Sequence, residues 1–397
     1  MMPGSGRRTS LRRLCQQPIA LYAVLGIWAV LWFVILARRG GIDWKFFSTG
    51  TSLLFGGHPP VIHGITGGAG TAGPAGRPGP RPAGGLHIFA NYPALQMGPL
   101  SYLAAAALGQ NVVAAELFLQ AAGLLIVYLT DRIAQIARPG RRDPWKLLAG
   151  GAVFLVAWSE LSAAFAHLDD GLALLLAVLA VYAAVTGHPV LSGIAVGLAA
   201  DAKPWALVFL PVLLINPKTI RATAAAAAAL AAAWVPFFAA DPATIAASRF
   251  LIRNEPDSAL RALGVTENYT PRWDRPAQAL LGCALGTVAF LRGRWPAILM
   301  LAGGARIVLD PAAHSYYTPD LVTGALLLDL SGRTRNVPVL TIVSFAALNL
   351  APLVIASAAA QGAIRLAVVV ACIVAGLTVR SYATGSPPRQ TRRGASP

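Results

Sequence analysis

The chain has 397 residues, of which 56% are hydrophobic and only 12% are charged. Soluble domains carry about 25% charged residues, so this composition indicates a protein that crosses a membrane several times. The formal net charge is +16, but the lysines and arginines fall mostly in short loops between apolar runs. That distribution is typical of membrane topology and argues against nucleic-acid binding.

Long apolar segments recur along the chain, and they lack the alternation of polar and apolar residues that barrel strands show. Several approach the roughly 20 residues that a helix needs to cross a bilayer. We predict an all-α bundle of about twelve transmembrane helices over residues 18–380. A basic cytoplasmic N-terminus (1–17) precedes it, and a disordered basic cytoplasmic tail (381–397) follows it. The clearest apolar segments are Pro18–Ala37, Asn111–Thr130, Leu147–Ala166 and Val337–Ser357.

The first apolar segment follows a cluster of arginines and ends at Arg38 and Arg39 without a small-residue cleavage site. We therefore interpret it as a retained helix, not as a secretory signal, with its N-terminus in the cytoplasm. Cys15, Cys283 and Cys372 lie too far apart in the sequence to indicate a disulfide framework or a metal site.

The region after this helix is predicted to lie on the outer face. Asp43–Phe55 interleaves polar and apolar residues and predicts a short amphipathic helix along the interface. His63–Gly85 is too rich in Gly and Pro to pack, so we expect it to be disordered. Pro93–Gly109 is short for a span. If it lies in the outer leaflet, the basic loop Asp131–Lys146 falls in the cytoplasm, in agreement with the positive-inside rule.

The rest of the chain then follows the same rule, with both termini in the cytoplasm. Lys203-Pro204 interrupts an apolar stretch, and because proline removes a backbone donor we predict two short helices that meet there. The alanine-rich run Ala222–Trp234 is assigned to close helix packing. We find no internal repeat and no soluble domain. The cytoplasmic basic connections are Lys218 with Arg221, Arg292 with Arg294, Arg333 with Arg335, and Arg380 to Arg393.

Acidic residues near the membrane are the first candidates for chemistry, because charges there are costly and usually functional. Asp43 could take a proton from an acceptor hydroxyl at the membrane surface, or it could be a solvated residue paired with Lys45. Asp169 and Asp170 open a helix, and the helix dipole favours carboxylates there in any case. Capping is therefore the alternative role for these two residues.

Basic residues are the second set of candidates. Lys203 could bind a lipid-linked phosphate as a point charge, or it could extend to the interface beside Asp201. His314 could pair with a phosphate or orient a base, although a loop histidine often has no special role. His167 is a weaker candidate of the same kind.

Other charged residues have simpler expected roles. Glu160 and Arg306 fall inside apolar segments, where we expect them to pair with each other or with polar neighbours. The sequence contains no Gly-rich phosphate loop, no nucleophile elbow and no metal-ligand spacing, so ATP-driven chemistry is not expected. Arginines of a long outer loop could engage an anionic lipid headgroup, with solvation as the default. They are Arg249, Arg253, Arg261, Arg272 and Arg275.

A set of motifs resembles the polyprenyl-phosphate-sugar glycosyltransferases of the GT-C superfamily, in particular actinobacterial members of family 87. The similarity covers most of residues 18–357, and the insert at 63–85 departs from it. Asp43 is similar to the family's first-loop aspartate and Asn91-Tyr92-Pro93 to its Tyr-Pro entry. The remaining matching pieces are His167–Asp170, Thr186–Pro189, Leu191–Gly193 through Gly197–Ala199, Ala202–Trp205 with Leu210-Pro211, and Arg306–Asp320.

The resemblance implies an inverting sugar transfer at the extracytoplasmic face of the plasma membrane. The donor would be a polyprenyl-phosphate sugar, with mannose or arabinofuranose as the guess, and the acceptor a glycan or glycolipid. Asp43 and His314 would be the catalytic residues, with Asp43 as the general base and with His314 and Lys203 facing the donor phosphate. Asp169 or Asp170 would occupy the family's second outer-loop acidic position. No cofactor and no metal would be required, because cations that stabilise a phosphate leaving group matter more than a general acid. The substrate-binding residues would be His167, Asp169, Asp170, Lys203, Tyr316 and Tyr317.

Two other functions fit the same residues. A non-catalytic binder or translocator of lipid-linked sugars could use the same cations to hold a headgroup. A structural assembly subunit would need none of these side chains individually. The sequence does not rank these two alternatives against each other.

Overall fold

The structure is a computed structural model that describes residues 18–56, 84–92, 94–249, 251–332 and 337–379. The N-terminus, the C-terminal tail and nearly all of the low-complexity segment 63–85 lie outside these ranges. The described residues form helices and connecting loops, with one isolated β-bridge between Arg253 and Tyr269. The prediction of an all-α fold is confirmed for this part of the chain.

The longer helices are numbered here in chain order. A 3₁₀ helix, Pro204–Ile215, separates α7 from α8. The helices are α1 Pro18–Leu36, α2 Trp44–Leu54, α3 Pro99–Ala107, α4 Val112–Ala137, α5 Pro144–Ser159, α6 Leu168–Val185, α7 Pro189–Ala202, α8 Thr219–Ala240, α9 Asp274–Leu291, α10 Ile298–Leu309, α11 Thr318–Ser331, α12 Val339–Phe345 and α13 Ala358–Thr378.

Six helices in the described part of the chain are long and apolar enough to cross a membrane. Shorter apolar helices accompany them, among them α7 and the 3₁₀ helix. A helix of about 20 apolar residues matches the hydrocarbon thickness of a bilayer, so the fold is that of a helical membrane protein. The six are Ile19–Arg39, Val112–Ala137, Pro144–Ala164, Leu168–Val185, Thr219–Ala240 and Ala358–Thr378.

The predicted basic loop from 131 to 146 was too long, because α4 continues to Ala137. Asp131 lies within this helix, and its buried carboxylate has hydrogen-bond partners. Its Oδ2 accepts hydrogen bonds from Tyr22 at 2.8 Å, from Gln135 at 2.7 Å and from Arg142 at 2.6 Å. Arg142 neutralises the carboxylate, and Tyr22 and Gln135 satisfy it with further hydrogen bonds. The helix therefore extends beyond the apolar run, and the loop is limited to residues 138–143.

Two other predicted segments also have different bounds. The segment 147–166 begins earlier, at Pro144, where the Asp143 side chain caps the helix by accepting from the Lys146 amide at 3.1 Å. Its α-helix ends at Ser159 and is followed by one turn of π-helix over residues 160–164, which we call a π-turn. The segment 337–357 is an α-helix over 339–345, a π-turn over 346–350 and a last helical turn that ends at Val354.

The amphipathic helix predicted after the first span is confirmed as α2. Its buried face includes Trp44, Phe47 and Thr51 and packs on α3, where the Thr51 hydroxyl donates to the Tyr102 carbonyl at 3.1 Å. Because α3 has nine residues, it is about 14 Å long, which is too short to cross a hydrocarbon core of roughly 30 Å. This length agrees with our choice not to count residues 93–109 as a span.

The predicted break at Lys203-Pro204 is confirmed. Lys203 has an extended backbone between α7 and the 3₁₀ helix. Asp201 was predicted to lie beside Lys203 at the interface. Its Oδ2 instead accepts a hydrogen bond from the Leu100 amide at 3.1 Å. The Gly98 amide also donates to the Ala202 carbonyl at 3.0 Å. The start of α3 is thereby fastened to the break.

Close contact between α7 and α8 accounts for part of the alanine-rich run. A Cβ atom added at Gly193 or Gly197 would lie 2.1 Å from the Ala222 carbonyl oxygen or 2.5 Å from that of Ala226. Small residues on both helices allow this approach, as predicted for packing. Most of the run lies outside the contact, since only 17% of the α8 window is buried.

We expect Gly197→Ala to lower the free energy of unfolding by about 1–3 kcal/mol, because the new methyl group overlaps the α8 backbone. Gly26→Ala is the matched control, since a Cβ atom there has no neighbour within 4 Å. The control should be neutral or slightly stabilising. Thermal unfolding of both purified variants in detergent measures the difference. Equal stability of the two variants would contradict the close packing of α7 and α8.

Candidate functional site

Charged side chains from distant parts of the chain meet at one end of the bundle. They come from the loop after α1, from the start of α6, from the break after α7 and from the region around the loop between α10 and α11. The charge cluster, as we call it, consists of Asp43, His167, Asp169, Asp170, Lys203, Arg306, Asp310 and Asp320.

The turn between α5 and α6 sets the position of His167. The π-turn Glu160–Ala164 ends α5, and Ala166 then adopts a positive φ of 49°, which is uncommon for a residue with a side chain. The His167 amide donates back to the Leu161 carbonyl at 3.0 Å. Both π-turns and unusual backbone conformations concentrate at functional sites, so this turn marks the region independently of its charges.

The first loop docks onto this turn through its backbone. The Ile42 amide donates to the Ala164 carbonyl at 3.1 Å, and the Asp43 amide donates to the Phe165 carbonyl at 3.0 Å. Asp43 Oδ2 then lies 3.0 Å from Nδ1 of His167. Backbone and side-chain contacts together fix the Asp43 carboxylate beside the start of α6.

His167 lies between three carboxylates. Its Nε2 is 2.8 Å from Oδ2 of Asp170 and 3.2 Å from Oδ1 of Asp169, while its Nδ1 faces Asp43. Burial by itself lowers the pKa of His167, but the charges and hydrogen bonds of Asp169, Asp170 and Asp43 outweigh burial and raise that pKa from 6.5 to about 9. The imidazolium is therefore the stable form near neutral pH.

Asp169 and Asp170 are both fully buried, and each has a separate cationic partner. The Lys203 ammonium donates to Oδ2 of Asp169. Arg306 Nη1 lies 2.9 Å from Oδ1 of Asp170, which also accepts from Trp205 Nε1 at 2.6 Å. These contacts go well beyond the helix capping that was the alternative for the two residues.

Arg306 is buried and holds the far side of the cluster together. Its guanidinium bonds to Asp320 and lies 3.8 Å from Oδ2 of Asp310. The same group is stacked between two rings, with its central carbon 3.9 Å from the Trp205 ring centroid and 4.2 Å from that of Tyr317. Both contacts are within the range of cation–π interactions.

Aromatic side chains of the loop between α10 and α11 cover His167. The Tyr316 ring centroid lies 4.1 Å from that of His167. The His314 ring also stacks on Tyr316, with 5.0 Å between the ring centroids and an angle of 12° between the planes. Tyr316 and Tyr317 are buried, whereas His314 is half-buried, so His314 is the more accessible residue of the three.

Access to solvent differs sharply within the cluster. The side chain of Asp43 is 15% exposed, whereas those of Asp169 and Asp170 are 0% exposed. Among nearby cations, Lys203 is 10% exposed, but Arg275 is 33% exposed and lies 3.5 Å from Oδ2 of Asp310. An incoming molecule can therefore reach Asp43, His314 and Arg275 most directly.

His167, Asp169 and Asp170 also lie close enough together to hold a metal ion, since one ligand atom of each falls within 4.8 Å of the others. In the structure, however, Lys203, Arg306 and Trp205 already engage the carboxylates. Metal binding would also require a deprotonated imidazole. The expectation of metal-independent chemistry stays a prediction.

The structure brings together every site residue that the sequence indicated, and the side chain of His314 joins them through ring contacts with Tyr316 and Tyr317. Arg306 was expected to pair with Glu160 or with polar neighbours. Glu160 instead lies 3.5 Å from Arg39, and Arg306 joins the cluster. Sequence reasoning missed Asp320 and Trp205 as partners. The sequence signal for a charged partner of Arg306 was Asp310, which follows it by four residues and comes directly after the end of α10.

The chain matches no protein-family model, no curated protein and no solved structure. The resemblance to GT-C glycosyltransferases therefore depends on the sequence motifs.

The raised pKa of His167 predicts how stability depends on pH. Because the folded protein binds this proton more tightly, the stabilisation is present in full below about pH 6.5 and is lost as the pH rises through about 9. It amounts to a few kcal/mol, at about 1.4 kcal/mol per pKa unit. Melting temperatures of wild type and His167→Gln between pH 6 and pH 10 should differ most at low pH and converge at high pH.

His188→Gln is the control for this experiment, because His188 is exposed. We expect this variant to follow the wild type at every pH. A stability gap for His167→Gln that is constant or widens towards high pH would show that His167 is not held as a cation.

Proposed function

We propose that this chain is a GT-C-type membrane glycosyltransferase that moves a sugar from a polyprenyl-phosphate donor to a glycan or glycolipid acceptor. The observation that carries the proposal is the partly exposed Asp43 carboxylate, held 3.0 Å from His167 at the edge of a buried charge cluster. A carboxylate that an acceptor can reach, beside accessible basic side chains, suits sugar transfer from a lipid-linked phosphate. The sugar identity, mannose or arabinofuranose, comes from the resemblance alone.

We further propose a GT-C-like topology of about twelve crossings, in which shorter apolar helices add to the six helices that are long enough to span a membrane. α5 leads from the basic loop 138–143, where Arg142 bonds to Asp131, to the turn that positions His167, so this loop and the charge cluster lie at opposite ends of α5. The loop contains Arg138, Arg141 and Arg142, which favours its placement in the cytoplasm. The charge cluster would then face the extracytoplasmic side of the plasma membrane, with both termini inside.

In the proposed reaction, the acceptor hydroxyl oxygen attacks the anomeric carbon and the bond from that carbon to the phosphate oxygen breaks. The hydroxyl proton passes to Asp43 as general base. His167 holds Oδ2 of Asp43, which leaves the other oxygen of a partly exposed carboxylate for the acceptor. His167 is thus a positioning residue in this scheme and does not contact the substrate.

The leaving polyprenyl phosphate keeps its negative charge, so cations stabilise it better than a general acid does. Arg275 is the accessible cation for this role, and His314 can donate a hydrogen bond to the same phosphate. Lys203 would contribute only if its ammonium exchanged Asp169 for the phosphate, because the two are paired in the structure. No metal ion takes part in this scheme.

We expect Asp43→Asn to reduce sugar transfer by about 10²–10⁴-fold, because the amide cannot accept the acceptor proton. Its melting temperature should stay close to that of wild type, since the amide oxygen can still accept from His167. Transfer from a purified polyprenyl-phosphate sugar, measured in detergent, provides the readout.

Glu267→Gln is the matched control, because it neutralises an exposed carboxylate of the outer loop. Its activity should equal that of wild type. Full transfer by Asp43→Asn would refute the role of Asp43. Conversely, donor consumption by wild type in detergent would reject the alternative of a translocator, because no membrane is left to cross.

A further inference from the structure

The loop between α10 and α11 carries His314, Tyr316 and Tyr317, yet its first half has no regular structure. Residues 310–314 belong to no helix or strand, so their backbone groups need partners elsewhere. The Ala312 amide finds one within the loop, at 3.0 Å from Oδ1 of Asp310. The next residue, Ala313, has both of its backbone groups held by side chains from outside the loop.

Glu255 and Arg365 form this clamp on Ala313. Glu255 Oε2 accepts from the Ala313 amide at 2.6 Å, and Arg365 Nη2 donates to the Ala313 carbonyl at 2.8 Å. The Glu255 amide also donates to the Pro311 carbonyl at 2.8 Å. Both side-chain bonds involve a charged group, and such bonds are stronger than those between neutral groups.

The two clamp residues stand on independent supports. Glu255 belongs to the outer loop, which Asn254 stabilises by donating to the carbonyls of Val265 and Glu267 at 3.1 and 3.0 Å. Arg365 lies on α13, is 6% exposed, and has Asp257 of the outer loop at 3.9 Å. The position of Ala313 is thus tied to both the outer loop and the last helix.

We propose that Glu255 and Arg365 are positioning residues that fix His314 by clamping the preceding peptide groups. The inference rests on the proposed function, in which His314 contacts the donor phosphate. His314 has ring contacts with Tyr316 and Tyr317, and no hydrogen bond to its side chain occurs among the described residues. Its backbone and these ring contacts therefore decide where its ring nitrogens lie.

Hydrogen–deuterium exchange tests the clamp without any activity. In purified full-length protein, Glu255→Ala should speed exchange of a peptide covering residues 311–317 by about tenfold or more, as expected for loss of one charged hydrogen bond. Glu255→Gln keeps an acceptor oxygen and should exchange like wild type, as should the exposed-loop control Glu267→Ala. Equal exchange in Glu255→Ala and wild type would overturn the clamp.

Arg365 supplies a second, independent pair of variants. Arg365→Met removes the donor to Ala313, whereas Arg365→Lys keeps an ammonium that can reach the same carbonyl. We expect faster exchange in the methionine variant and at least partial rescue in the lysine variant. Faster exchange in both to the same extent would mean that packing of Arg365, and not its hydrogen bond, holds the loop.

A double-mutant cycle tests whether the clamp acts through His314. Glu255→Ala should raise KM for the polyprenyl-phosphate sugar about tenfold, with a smaller effect on kcat, and should add nothing in a His314→Ala background. If Glu255→Ala raised KM by the same factor in the wild-type and His314→Ala backgrounds, the link to His314 would be overturned. Absence of transfer by wild type would instead refute the proposed function and the role of His314, while the exchange data still decide whether the clamp exists.

Discussion

Neutralisation of buried charge is the constraint on which this structure depends. Asp169 and Asp170 are fully buried at the start of an apolar helix, and a carboxylate without a partner there would cost several kcal/mol. Lys203, Arg306 and His167 meet that requirement from three different parts of the chain. These contacts join the loop after α1, the start of α6, the break after α7 and α10 at one end of the bundle.

The same contacts connect the scaffold to the proposed chemistry. His167 joins the buried carboxylates to Asp43, and backbone hydrogen bonds hold the first loop against the turn before α6. On the other side, Arg306 is stacked under Tyr317, which belongs to the loop that carries His314. The buried ion pairs therefore connect to the Asp43 carboxylate through His167 and to the loop that carries His314 through Tyr317.

The sequence predicts the helical class, the amphipathic helix after the first span and the break at Lys203, because hydropathy and proline act locally. It also indicates most of the cluster, since charged residues are rare in apolar surroundings. It does not reveal the partners of Arg306, and it ends α4 too early at Asp131. Both errors have one cause: a charge in an apolar helix is tolerated only when tertiary contacts neutralise it, and those contacts are not local. Family membership and sugar transfer stay predictions.

A double-mutant cycle on Lys203 and Asp169 tests the neutralised cluster most directly. Lys203→Met leaves the Asp169 charge buried without its partner, so the account predicts a loss of about 3–5 kcal/mol in the free energy of unfolding. Combining it with Asp169→Asn should recover part of that loss, and the double variant should lose less than the two single variants do in sum. Additive effects, or an unchanged stability of Lys203→Met, would contradict the account.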